Sequence, residues 1–168
     1  MTNYFAFFGI PESWDIDEAA LKKKYYANSR DFHPDRHRLG SEEDQANALE
    51  KSSHNNRGYK LLMNEQSRLK HLLEIKDAMP PEGENKLPQD FLMEVMELNE
   101  SAMELSFDPD PEARQKFIGQ VAGFKQQLEG EVADLRKSKT LSPDELDRLR
   151  SYYLKTKYLN RLEENLPE

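Results

Sequence analysis

Apolar residues recur along this chain at intervals of three and four, and no segment alternates convincingly with period two, so the pattern predicts helices and no sheet. The chain opens on a short apolar piece, Tyr4 to Ile10, ended by Pro11. Asp15 followed by Glu18 has the spacing of a capping box, ahead of a helix carrying Leu21, Tyr25 and Phe32 with Asn28 in the intervening slot. Lys22, Lys23 and Lys24 spread over most of one turn away from Leu21. Pro34 ends this helix, because the residue before a proline avoids the helical region. A second long helix is expected from Ser41, with Glu42, Glu43 and Asp44 in its first turn and a weak inner stripe of Ala46, Leu49, Ser53, Asn56, Tyr59 and Leu62. A short one follows over 67–76 with Leu69, Leu72, Leu73 and Ile75. The expected arrangement is an antiparallel helical hairpin joined by a proline loop, with short helices at either end.

In the second half Phe91, Val95, Leu98, Ala102 and Leu105 step by four and three, the seam of a bundle. Asp110-Pro111 supplies an N-cap with proline at the first helical position, and Phe117, Val121, Phe124, Leu128 and Leu135 form the next stripe. Ser142-Pro143-Asp144-Glu145 caps a third helix with Leu146, Leu149, Tyr152, Tyr153, Leu159, Leu162 and Leu166. Three long helices with short connections predict an antiparallel three-helix bundle. Between the halves, residues 77–88 hold three prolines and a glycine, which sustain neither a helix nor a central strand. The expected division is 1–76, a linker at 77–88, and 89–168, in an all-α chain.

Composition sharpens this picture. With 36% hydrophobic and 33% charged among 168 residues, thin helical layers fit better than a thick core. The absence of cysteine removes disulfides, thiolate metal sites and thiol catalysis. The first nine residues lack a cationic leader, and no stretch reaches the roughly 18 apolar residues that cross a bilayer. A cytoplasmic protein without a membrane partner is expected. Residues 1–76 carry 12 basic and 12 acidic residues, so the net charge of −8 belongs wholly to the second half. Nucleic acid is not an expected partner, because no overall basic field exists to displace counterions from phosphate. Positive charge concentrates locally in Lys22, Lys23, Lys24, Arg30, Arg36 and Arg38.

His33-Pro34-Asp35 sits where the lysine-rich helix stops and before the second long helix. Phe32-His33-Pro34-Asp35-Arg36 resembles the aromatic–HPD–basic signature of J-domains, and Asn56-Arg57-Gly58-Tyr59-Lys60-Leu61-Leu62 resembles the small–aromatic–leucine run of their third helix. Together with the N-terminal Tyr4-Phe5-Ala6-Phe7-Phe8-Gly9-Ile10-Pro11, Leu72-Leu73 and the acidic helical second half, the chain resembles the HscB family of J-protein co-chaperones of iron–sulfur cluster assembly, most strongly over residues 2–37 and 91–104.

The resemblance implies that His33, Pro34 and Asp35 trigger ATP hydrolysis in a DnaK/HscA-class chaperone. A carboxylate at Asp35 can accept a bidentate bond from an arginine, and Lys22, Lys23, Lys24, Arg30 and Arg36 could steer docking on an acidic face. It further implies that Leu92, Met93, Met96, Glu97 and Glu100, with Tyr152 or Tyr153 on the last helix, engage the IscU-type scaffold. A methionine-bearing stripe flanked by acids is an adaptable partner surface. No cofactor is expected, and no nucleophile–base set or phosphate loop points to an enzyme. Three rivals remain: a J-protein with another client, a metal-dependent hydrolase using His33, Asp35 and His37, and a structural helical protein.

Overall fold

The computed structural model describes residues 1–84 and 86–168; Asn85, within the expected linker, lies outside the described residues. The described chain is all-helical, with helices α1 (Tyr4–Phe8), α2 (Glu18–Asp31), α3 (Glu42–Met63), α4 (Glu65–Ile75), α5 (Gln89–Glu94), α6 (Met96–Phe107), α7 (Pro111–Val132) and α8 (Pro143–Glu164), and without a strand among the described residues. It forms two compact units, one of Met1–Lys76 with Arg136–Thr140, the other of Asp77–Leu135 with Leu141–Glu168. Two features differ from the expected division. Residues 136–140, expected within 89–168, pack with the first unit, where the Arg136 carbonyl accepts bonds from the Asp15 N–H and the Ser13 hydroxyl and the Arg136 guanidinium lies 4.2 Å from the Trp14 ring centroid. The expected linker starts inside the second unit, where buried Ala78 accepts a bond from Arg150 at 3.0 Å.

In the first unit α2 and α3 are antiparallel: Tyr25 stacks on Tyr59 at 4.1 Å, Asn28 bonds Asn55, and Phe32 faces Lys51. Asp17, not Asp15, caps α2, accepting from the Ala20 N–H, since the helix begins at Glu18; the Asp15 N–H donates to the Arg136 carbonyl. Ser41 and Asp44 form the reciprocal capping box of α3. The inner face of α3 is Ala48, Asn55, Gly58 and Leu62, whereas Leu49 is 64% exposed and Ala46 is also exposed. An apolar count misses this face because its centre is polar: buried Asn55 donates to the Tyr25 carbonyl and the Ser29 hydroxyl and accepts from Asn28, leaving its amide satisfied.

Helix α1 lies over Gly58, where a Cβ would fall 2.4 Å from Tyr4 Cδ1 and 2.9 Å from Phe8 Cε2. Gly9, with φ +64°, closes α1 in the left-handed conformation, and its carbonyl accepts from Lys24. His71 is buried; its ring stacks on Phe5 and its Nε2 accepts the Tyr4 N–H at 3.1 Å. Burial holds this imidazole below its ordinary range, in the neutral form that can accept. Buried Arg68 is satisfied by the carbonyls of Trp14 and Leu62.

The second unit follows its stripes. Phe91, Val95, Leu98, Leu105, Phe117, Val121, Leu128 and Leu159 make one core, with Ala102, Phe124, Tyr152 and Leu162 packed against it. The first long helix expected here is interrupted at Val95, which divides α5 from α6 without taking Val95 out of the core. Asp110 caps α7 and Ser142 caps α8, each helix having proline in its first turn.

Candidate functional site

Helix α2 stops at Asp31 because Pro34 cannot continue it; the chain turns extended at His33 and enters a 3-10 turn, Pro34–His37, that leads through Gly40 to α3. This tip is built of its own bonds. His33 Nδ1 accepts the Asp35 N–H at 3.2 Å, the Arg36 N–H reaches the His33 carbonyl at 3.0 Å, and the His37 Nε2 pairs with the Asp31 carbonyl at 2.9 Å. Proline at the head of the turn fixes one further torsion. The Asp35 side chain is 69% exposed at this tip. One carboxylate oxygen lies 3.2 Å from Arg38 and the other 3.7 Å from His33 Nδ1. At that exposure an ion pair contributes about 0–1 kcal/mol, so an incoming arginine can exchange with Arg38 at little cost. Sequence reasoning named Asp35 but not its Arg38 tether.

The cations divide. Lys22, Lys23, Arg30 and Arg36 are exposed, with Arg36 3.7 Å from Asp31, whereas Lys24 is half-buried and occupied at the Gly9 carbonyl. Lys24 thereby ties α2 to the end of α1. Lys22, Tyr26 and Arg30 succeed one another at four-residue steps; Tyr26, 52% exposed, was not singled out by the sequence.

His33, Asp35 and His37 do not form a metal set. Each imidazole is turned to the local backbone, and among the described residues no group of three or more histidines and carboxylates could hold an ion. The metal-dependent hydrolase reading loses its site on that geometry.

On α5 and α6 the face opposite the core is apolar and acidic together. Leu92, Met93, Met96 and Met103 are 43%, 65%, 54% and 64% exposed, and Glu97 and Glu100 are exposed beside them. Phe107, at the end of α6 and 80% exposed, lay outside the sequence reading, although its four-residue step from Met103 could have found it. Tyr152 is half-buried and lines a cleft between α7 and α8 with Leu128, Val132 and Lys155. Tyr153, its neighbour on α8, is 4% exposed. No helix among the described residues is long and apolar enough to cross a membrane.

The model of the HSCB C-terminal oligomerisation domain matches residues 87–167. A co-chaperone protein HscB homolog of Vibrio atlanticus is 34% identical over 96% of this chain and 95% of its own length. One of Pseudoalteromonas atlantica is 39% identical over 65% of this chain and 63% of its own. Among solved structures, the chaperone HscB from Vibrio cholerae superposes with a TM-score of 0.63 at 28% identity, covering 97% of this chain and 96% of that one. The human co-chaperone protein HscB, at 24% identity, shares the fold with a TM-score of 0.78 over 98% of this chain and 80% of that one.

Proposed function

The chain belongs to the HscB co-chaperone family, and from that premise we propose that it couples an iron–sulfur scaffold protein of the IscU type to the ATPase cycle of a DnaK/HscA-class chaperone in the bacterial cytoplasm. The first unit is the J-domain. Its loop, His33-Pro34-Asp35, meets the ATP-bound chaperone; Lys22, Lys23, Arg30 and Arg36 attract the acidic face beside it, and Asp35 accepts an arginine of the ATPase in place of Arg38. The second unit holds the client on Leu92, Met93, Met96, Glu97 and Glu100, with Tyr152 the candidate on α8. Joining both events in one chain raises the effective concentration of client at the chaperone.

The observation that carries this reading is the Asp35 carboxylate, exposed at the tip of a hairpin whose loop is fixed by its own hydrogen bonds. Steady-state ATPase of the cognate chaperone, alone and with this protein, tests it. Wild type is expected to stimulate, His33→Gln and Asp35→Asn to lose stimulation with helicity unchanged, and Arg38→Ala to stay within about threefold of wild type, since the exposed pair it removes is weak. Undiminished stimulation by Asp35→Asn would sink the reading. A J-protein with another client is separated from it by calorimetric titration with the scaffold, which then produces no heat.

A further inference from the structure

Helix α6 carries two stripes of the same period. Leu98, Ala102 and Leu105 face inward, and Met96, Glu100, Met103 and Phe107 succeed one another at steps of four, three and four on the outside. Among the apolar members of the outer stripe, exposure rises from 54% at Met96 to 64% at Met103 and 80% at Phe107. From Met96 to Phe107 it runs the length of α6, about 16 Å of helix. An apolar face of that length left in water marks an interaction surface.

The charge on these helices selects the occupant. Residues 89–107 hold Asp90, Glu94, Glu97, Glu100 and Glu104 and not one lysine or arginine. A second copy of this face would set those acids against their own kind, and an anionic headgroup surface would meet the same repulsion. A protein surface with apolar side chains inside a lysine- and arginine-bearing rim meets neither. We infer that the scaffold-docking surface does not end at Met96 and Glu100 but continues through Met103 to Phe107, which binds as an aromatic anchor on the basic-rimmed apolar surface of the same client. This rests on the reading of Leu92–Glu100 as the client site.

The test is calorimetric titration of the full chain with the IscU-type scaffold of the same organism. Four proteins are compared: wild type, Leu92→Ser/Met96→Ser, Met103→Ser/Phe107→Ser, and Leu49→Ser as a control whose exposed leucine lies in the other unit. Met103 and Phe107 are 64% and 80% exposed, so the distal variant is expected to keep its helicity and melting. It is expected to weaken binding about tenfold or more, with Phe107→Ser alone responsible for most of the loss, as anchors dominate interfaces. Binding by the distal variant within about twofold of wild type, while the Leu92/Met96 variant is weakened, overturns the inference and leaves the client site standing. Absence of binding by wild type removes both together. Sedimentation showing a self-association that Phe107→Ser abolishes makes a second copy the occupant and likewise overturns it.

Discussion

Gly58→Ala and Gly123→Ala are the same substitution in helices of equal length, and the structure predicts opposite signs. At Gly123, as at Gly119 and Gly130, an added Cβ meets nothing within 4 Å. Only helix propensity acts there, and it favours alanine by about 0.8–1.0 kcal/mol. At Gly58 the same gain is opposed by α1. The new methyl would stand 2.4 Å from Tyr4 Cδ1, 2.9 Å from Phe8 Cε2 and 3.0 Å from Tyr4 Cγ, where carbon atoms prefer about 3.5–4.0 Å. Helix α1 must therefore withdraw by roughly an ångström. Phe8 is buried, and the Tyr4 N–H is bound to His71, so withdrawal also stretches that bond. Overpacking costs about 1–3 kcal/mol and the loosened bond about 1 kcal/mol. After the propensity gain, Gly58→Ala is expected to destabilise the first unit by about 1–3 kcal/mol.

The protein's single tryptophan, Trp14, is buried in that unit, so its fluorescence during urea unfolding follows the first unit. With a slope of about 1 kcal/mol per molar for a unit this small, the midpoint should fall by 1 M or more. Gly123→Ala should leave the tryptophan midpoint in place and raise the transition of the second unit, followed by far-ultraviolet circular dichroism. A Gly58→Ala midpoint at or above wild type would refute the placement of α1 over α3.

Asn55→Ala should lower the tryptophan-detected stability by about 2–3 kcal/mol, because it removes a buried amide and leaves its partners short of bonds, whereas Leu49→Gln on the exposed side of α3 should stay within about 0.5 kcal/mol. Equal effects of the two would contradict the polar centre of the hairpin. The stability of the first unit should also fall as pH drops below 6.5. His71 has a lowered pKa when folded, so between that value and 6.5 the unfolded chain binds the proton that the folded chain refuses, and stability rises with pH in that window. Glu12, held low by its bonds from Lys76 and Asn3, adds acid sensitivity only below 4.5. His71→Gln should flatten the upper window and leave the lower one; a midpoint independent of pH from 6.5 to 5 in wild type would contradict a neutral buried imidazole.

Much of this molecule could be read one residue at a time. Seam positions such as Val95, Leu98, Phe117, Val121 and Leu159 repeat every three or four residues and are apolar, so periodicity found the bundle. Proline and capping side chains act within four residues of themselves, so Pro34, Ser41, Asp110 and Ser142 marked their helix ends. The HPD loop was legible for the same reason: its stiffness comes from bonds between residues two to six apart. What tertiary structure decided involves partners far along the chain. The inner face of α3 is visible only when Tyr25 and Asn28 are brought to Asn55 and Tyr4 to Gly58; the Asp15 N–H finds the Arg136 carbonyl far along the chain; Lys24 reaches back to the Gly9 carbonyl. Exposure was of the same kind. Tyr152 and Tyr153 are adjacent and alike in sequence, and Met103 and Phe107 are as apolar as the seam beside them. Only packing buried Tyr153 and left Met103 and Phe107 in water, because burial depends on which neighbours arrive, and a helix repeat by itself does not say which of two apolar stripes they will cover.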